Sequence, residues 1–167
     1  MRKIVLLLSV ILSGFTALAQ EKKDDEAPYL KHKELPAMEI VDINGKDTFN
    51  TYNIKPGRPT LIIYFGPDCD HCKQMLEGFK PDMDQLKDID IYMVSFAPVI
   101  AIQIYNSVNH WEKYSNVKML GSDFRFFFPG FYGVSSVPNL VLYDKNKKFV
   151  KLWKGGASIR EIVEAAK

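Results

Sequence analysis

The sequence predicts an α/β domain in which helices flank a central mixed sheet and an added β-hairpin precedes the first central strand. Three observations carry that expectation. Thr60-Leu61-Ile62-Ile63-Tyr64-Phe65 is a continuous apolar and β-branched run, the pattern of a strand buried on both faces. Lys73 to Lys87 then places Met75, Leu76, Phe79, Met83 and Leu86 at spacings of three and four, as one face of a helix requires, and a second apolar run follows from Ile89 to Phe96. The chain closes on strand, turn, strand and helix. With 167 residues, 47% of them hydrophobic, it has enough material for one domain with a buried core.

The first residues read as an export signal: Arg2-Lys3, an apolar run from Ile4 to Leu12, and small residues ending in Ala17-Leu18-Ala19 before Gln20. The rival reading is an uncleaved membrane anchor, but Ile4 to Leu18 is shorter than the roughly 20 residues that span a bilayer. No cysteine follows the run to accept a bacterial lipid. The expectation is a signal peptide over residues 1–19 and export, to the periplasm in a cell with two membranes. Residues 20–34 are mostly charged, with Glu21-Lys22-Lys23-Asp24-Asp25-Glu26, and too poor in apolar groups to offset their own ordering entropy. They are expected to form a flexible tether to a domain over residues 35–167.

Within that domain, Met38 to Ile43, Asn44-Gly45 and a short run around Thr48-Phe49 predict the hairpin. Lys55-Pro56-Gly57-Arg58-Pro59 is a loop by composition, and Gly66-Pro67-Asp68 ends the strand from Thr60. Pro81 is expected to bend the following helix, because proline lacks the backbone donor. A helix of about 15 residues joining two apolar strands implies a right-handed parallel crossover. A second helix is expected between Ile100 and Tyr114, a short strand from Val117 to Leu120, and a short helical or irregular piece from Phe124 to Tyr132. Asn139 to Tyr143 and Lys148 to Trp153 should pair across Asp144-Lys145-Asn146-Lys147, before a closing helix from Ile159 to Ala166.

The balance of 22 basic against 20 acidic residues excludes one broad class of partner. It leaves no basic stripe of the kind a phosphate backbone demands and no polybasic membrane patch, so nucleic acid is not an expected partner.

The two cysteines, Cys69 and Cys72, carry the chemistry. A structural disulfide is the ordinary use of a cysteine pair in an exported chain. A bridge between positions three apart, however, closes so small a loop that chain entropy gives it only about 2 kcal/mol. Cys69 follows a buried strand and opens a helix, where free backbone N–H groups and the positive end of the helix dipole favour an anion. A thiolate is that anion, so the position should lower the thiol pKa from about 8.5. Cys72 lies one turn further on, and the two Cα atoms should be about 5–6 Å apart, within disulfide range. Cys69 would then form a mixed disulfide with a client, and Cys72 would resolve it. The pair would need no other cofactor; its partners would be protein thiols or disulfides and a protein redox partner.

The alternative is a metallochaperone holding Cu(I) through the same two thiolates. The other candidate ligands are His71, His32 and His110, with no second paired motif, so a closed four-ligand zinc site is not expected and no metal-site residue is assigned. His71 is either a solvent-facing residue of the first helical turn or a tuning group whose partial positive charge stabilises the thiolate. Asp70 opposes that effect by its charge while suiting a helix start.

The strand running into Cys69-Asp70-His71-Cys72-Lys73, the Val137-Pro138 pair before another strand, and Gly155-Gly156 between the last hairpin and helix resemble the thioredoxin-like superfamily. Within it they resemble the exported TlpA-like and redoxin-like thiol-disulfide oxidoreductases, over roughly Leu35 to Lys167. The resemblance implies a thioredoxin-like fold, a cis proline at Pro138 facing the active pair, and backbone hydrogen bonds from Val137 to an extended client. The chain departs from the family at several positions. Pro67-Asp68 stands where an aromatic residue usually precedes the motif, Ile63 where thioredoxin has a buried acid, and Met75 where some extracytoplasmic reductases carry one. Gly66 replaces the threonine of peroxiredoxins, which argues against peroxide as substrate.

Phe124, Phe126, Phe127, Phe128, Phe131 and Tyr132 form the densest aromatic run. Core packing accounts for most of it. The outward members are candidates for a client groove near Pro138, an idea that burial of all of them would remove. Trp111 and Trp153 are expected to pack, and His32 and His110 to lie on the surface.

Overall fold

The computed structural model describes residues 26–167, so the expected export signal and the first part of the tether lie outside the described residues. The elements are, in chain order, α1 (Pro28–Lys31), β1 (Glu39–Asp42), β2 (Thr48–Asn50), β3 (Thr60–Phe65), α2 (Asp70–Phe79), β4 (Asp90–Ser95), α3 (Val99–Asn109), β5 (Val117–Ser122), α4 (Phe127–Tyr132), β6 (Asn139–Tyr143), β7 (Phe149–Lys154) and α5 (Ile159–Ala165). The strands form one seven-stranded sheet in the order β2-β1-β5-β4-β3-β6-β7. It is mixed: β3, β4 and β5 run parallel, while β6, β7 and the β1–β2 hairpin pair antiparallel. The expected thioredoxin-like α/β fold and its N-terminal hairpin are therefore present.

β3 sits at the centre because every residue from Thr60 to Phe65 is apolar enough to lose water on both sides, and all six are buried. Strand alternation sends Leu61, Ile63 and Phe65 to one face and Ile62 and Tyr64 to the other, each into its own core. The β3–β4 and β4–β5 crossovers step the same way across the sheet, which puts α2 and α3 on one face. Leu76, Phe79, Ile102 and Tyr105 pack there with Ile159 and Ile162 of α5. The second face is covered by Met38, Ile40, Phe128 and Tyr132, with Tyr29 of α1 packed against them. Trp111 and Trp153 are buried and His32 and His110 exposed, as expected.

One expectation about the chain needs correction. The tether does not extend through residue 34. Pro28–Lys31 is helical, Tyr29 packs on Tyr132 and Phe149, and Glu34 forms an isolated β-bridge with Lys148. One aromatic anchor offsets the ordering of a charged segment. The expected hairpin turns through Asn44-Gly45. Residues 43–47 join the strands, with Gly45 at φ 73° and the Asn44 side chain accepting from the Lys46 and Asp47 N–H groups. The helix opens directly behind Cys69, at Asp70, and breaks near Pro81, as expected, its α-helical part ending at Phe79. It passes at Lys80 into 3₁₀ turns to Leu86 with Asp82 out of helical geometry, next to Pro81, which supplies no N–H.

Candidate active site

Cys69 is the N-cap of α2, with extended backbone, and its sulfur receives the Cys72 N–H at 3.1 Å. A capping sulfur thus occupies the position where the first turn of a helix offers an unpaired donor to an anion. The Cys69 N–H is tied back to the Gly66 carbonyl at 3.1 Å, which fixes the turn between β3 and α2. Cys69 and Cys72 form a disulfide with Cα atoms 5.2 Å apart. Their environments differ: Cys69 is half-buried and Cys72 fully buried beneath it among Leu76, Phe65 and Leu140. An incoming sulfur therefore meets Cys69 first, and only Cys69 can meet Cys72.

The Val137–Pro138 peptide bond is cis, and the Val137 carbonyl oxygen lies 3.8 Å from Cys69 Sγ. The chain continues into β6, which pairs with β3 beside the strand that ends at the cysteines. The Pro138 carbonyl accepts from the Gly155 N–H at 2.9 Å, and a Cβ placed on Gly156 would lie 3.6 Å from Pro138 Cγ and 3.0 Å from Met75 Sδ. The cysteine helix, the proline loop and the glycine pair after β7 thus meet at one point.

Asp70 and His71 are exposed on the first turn. The Asp70 carboxylate lies 3.7 Å from Lys73 Nζ, so its charge beside Cys69 is partly compensated. Ile63 is buried in the apolar cluster that holds Cys72, and Met75 packs against the same cluster. The residues around the buried sulfur are apolar at both positions where the resemblance would place an acid. Among the described residues no group of three or more His, Cys, Asp or Glu side chains converges as a metal site would.

The aromatic run divides. Phe128 and Tyr132 are buried, Phe127 and Phe131 partly so, and Phe124 and Phe126 are exposed. Phe126 lines an apolar groove that also touches Val137, with Tyr64 and Phe96 from the ends of β3 and β4. Tyr64, Phe96 and Asp123 were not singled out from the sequence. Asp123 is fully buried and accepts from the Phe127 and Phe128 N–H groups at 2.9 and 2.8 Å, so it shapes the start of α4. Its signal was available: an aspartate just before an apolar helical run is a common helix-start residue.

Comparison with known proteins gives a consistent picture. A thioredoxin-like domain matches residues 46–167. Protein disulfide-isomerase A5 of Bos taurus is 21% identical over 150 residues, which is 90% of this chain and 24% of that protein. The chain thus spans about a quarter of the length of that curated relative. Among solved structures, a secreted Mycobacterium tuberculosis disulfide oxidoreductase homologous to E. coli DsbE superposes with a TM-score of 0.59 at 16% identity, over 77% of this chain and 93% of that one. An uncharacterized thioredoxin-like protein from Porphyromonas gingivalis gives a TM-score of 0.61 at 22% identity, over 80% and 94%. At these identities the structural likeness speaks for the fold.

Proposed function

The chain belongs to the thioredoxin-like domain family, and from that premise we propose that it exchanges disulfides with protein thiols through Cys69 and Cys72. The observation that carries the reading is the pairing of a half-exposed, helix-capping Cys69 sulfur with a buried Cys72 whose N–H it accepts. In the reducing direction, the Cys69 thiolate attacks one sulfur of a client disulfide and expels the other as a thiolate. Cys72, having given up its proton, then attacks Cys69 Sγ and releases the second client thiolate. Two electrons pass to the client and the chain is left as the disulfide; the oxidising direction is the same path reversed. On this reading the cis-proline loop holds an extended client; the support is the Val137 carbonyl oxygen 3.8 Å from Cys69 Sγ.

Within the family we place the chain with the exported TlpA-like and redoxin-like oxidoreductases. The support is the Cys69-Asp70-His71-Cys72 run and the signal-like residues 1–19. On this reading residues 1–19 are a cleaved signal, the site of action is the periplasm, and the redox partner is another protein.

The test is equilibration with glutathione buffers, followed by the reduction potential of the pair. A value near about −120 mV identifies a disulfide donor, and one at or below about −270 mV a reductase. Folded, accessible protein that does not exchange at all would sink the proposal. Stoichiometric Cu(I) uptake by that reduced protein, lost on Cys72→Ser, would then identify a metal carrier.

A further inference from the structure

An apolar groove of about 280 Å³ opens at the C-terminal end of β3, between Tyr64, Phe96, Phe126, Pro129, Val134 and Val137. It adjoins the cysteine site at two points. Val137 lines the groove and also presents its carbonyl oxygen 3.8 Å from Cys69 Sγ. Gly66 lies between the two sites: a Cβ there would be 3.3 Å from both the Phe96 ring and Cys69 Cβ.

Two features of the groove are unexplained by packing alone. Tyr64 forms part of its wall, is 2% exposed, and its hydroxyl has no hydrogen-bond partner among the described residues. Buried polar groups are ordinarily paired. Burial, reinforced by the Asp123 carboxylate, raises the Tyr64 pKa, so the hydroxyl stays protonated and available as a donor. Phe126 is 58% exposed and holds a left-handed backbone, φ 53°, a conformation that bulky residues rarely adopt. Its N–H is bonded to the Asp123 carbonyl and the next two to the Asp123 carboxylate, so a buried acid keeps this ring over the groove.

We propose that the groove is a subsite for a tyrosine side chain adjacent to the reacting cysteine of an extended client, with the Tyr64 hydroxyl donating to the incoming phenol oxygen. The inference rests on the disulfide-exchange reading and specifies its substrate class. The size fits: an apolar cavity of roughly 150 Å³ accepts a benzene ring, so this groove accepts a ring and a polar tip. The chemistry fits as well, because an alanine would leave the space unfilled and a phenylalanine would leave the Tyr64 hydroxyl unpaired. The hydroxyl is closed from solvent, so the entering ring must shift part of the wall over it, and Phe96, an exposed ring 6.2 Å from that of Tyr64, is the member placed to move.

The test uses the reduced full chain and short peptides whose single cysteine is disulfide-linked to thionitrobenzoate, with tyrosine, phenylalanine or alanine beside the cysteine. Each reaction converts the Cys69/Cys72 dithiol to the disulfide and releases the peptide thiol and the coloured thionitrobenzoate anion. The expected second-order rates favour tyrosine over phenylalanine about fivefold and over alanine about fiftyfold. Tyr64→Phe should bring the tyrosine-to-phenylalanine ratio close to one, and Phe126→Ala should lower the aromatic-to-alanine ratio. Each is a ratio within one variant, so a uniform loss of activity does not mimic it. Equal rates for all three peptides overturn the proposal, and equal rates for tyrosine and phenylalanine overturn the role of Tyr64. Glutathione disulfide, which carries no aromatic ring, separates the two levels. If the native chain exchanges with it but does not discriminate among peptides, the subsite fails and the oxidoreductase stands. If it exchanges with neither, both fail.

Discussion

Val137 presents its carbonyl oxygen 3.8 Å from Cys69 Sγ, although 68 positions separate the two residues. The contact exists because β3 and β6 are antiparallel neighbours, with Tyr64 opposite Asn139, so the loop entering β6 comes up beside the turn leaving β3. A client cysteine bonded to Cys69 would have its backbone alongside this loop. The sheet register thereby sets both the sulfur and the surface that would hold its substrate.

The burial difference between the two sulfurs predicts an asymmetric response to substitution. Cys72→Ser leaves Cys69 reachable and removes the group that resolves the intermediate, so a mixed disulfide with a thiol client should accumulate. Cys69→Ser should yield no adduct, because Cys72 is fully buried. Non-reducing electrophoresis and intact mass after reaction with a peptide disulfide read both. Adduct formation by Cys69→Ser to the same extent as by Cys72→Ser would show the roles to be wrongly assigned.

Gly156 predicts a coupled loss of stability and rate. Its φ of 111° disfavours any side chain, and an added Cβ would lie 3.0 Å from Met75 Sδ and 3.6 Å from Pro138 Cγ. Gly156→Ala should therefore destabilise the fold by about 1–2 kcal/mol, seen as a lower urea midpoint with unchanged slope. Exchange with a peptide disulfide should also slow, since the 3.0 Å contact presses on Met75, one turn beyond Cys72 in α2. A variant as stable and as fast as the native chain would count against this contact.

How much of this was legible in the sequence depends on range. β3 was visible because six consecutive residues that all lose water need no tertiary information to read, and Cys69 at a strand-to-helix junction followed from it. The proximity of Val137-Pro138 to the cysteines rested on resemblance alone, since nothing local in those two residues points 68 positions back. Tyr29 was hidden by its charged neighbours: composition averaged over the segment conceals one ring that finds Tyr132 and Phe149. Phe126 was seen as one of several aromatics. Its exposure depends on the left-handed turn that Asp123 stabilises from a buried position, which no periodicity encodes.

Alkaline pH should unfold the chain over a defined window. Burial raises the Tyr92 and Tyr105 pKa values to about 12, against an ordinary value of 10. Each stays protonated in the fold while the unfolded chain begins to lose its proton near pH 10. The stabilisation is complete below that pH and is lost as pH rises toward 12, with a slope of about 1.4 kcal/mol per pH unit for each tyrosine. Urea midpoints from pH 9 to pH 12 should fall from about pH 10 onward, and Tyr92→Phe should make the decline shallower by about one proton. A decline of identical steepness in the variant would exclude Tyr92 as a contributor.

Tyr132 and Tyr143 face each other in the second core, both fully buried, with their hydroxyl oxygens 2.6 Å apart. One hydroxyl donates and the other accepts, and burial holds both protonated. Removing one oxygen leaves the other buried without its partner, a cost of about 1–3 kcal/mol, whereas removing both replaces a polar pair by two rings of nearly the same shape. Tyr132→Phe and Tyr143→Phe should each destabilise the chain by about that amount, and the double variant by less than the sum of the two. A double-mutant cycle in urea measures the difference as a coupling energy, expected at about 1 kcal/mol or more for groups in direct contact. Strict additivity would mean that each hydroxyl finds another partner when its neighbour is removed, and that the pair does not hold α4 against β6.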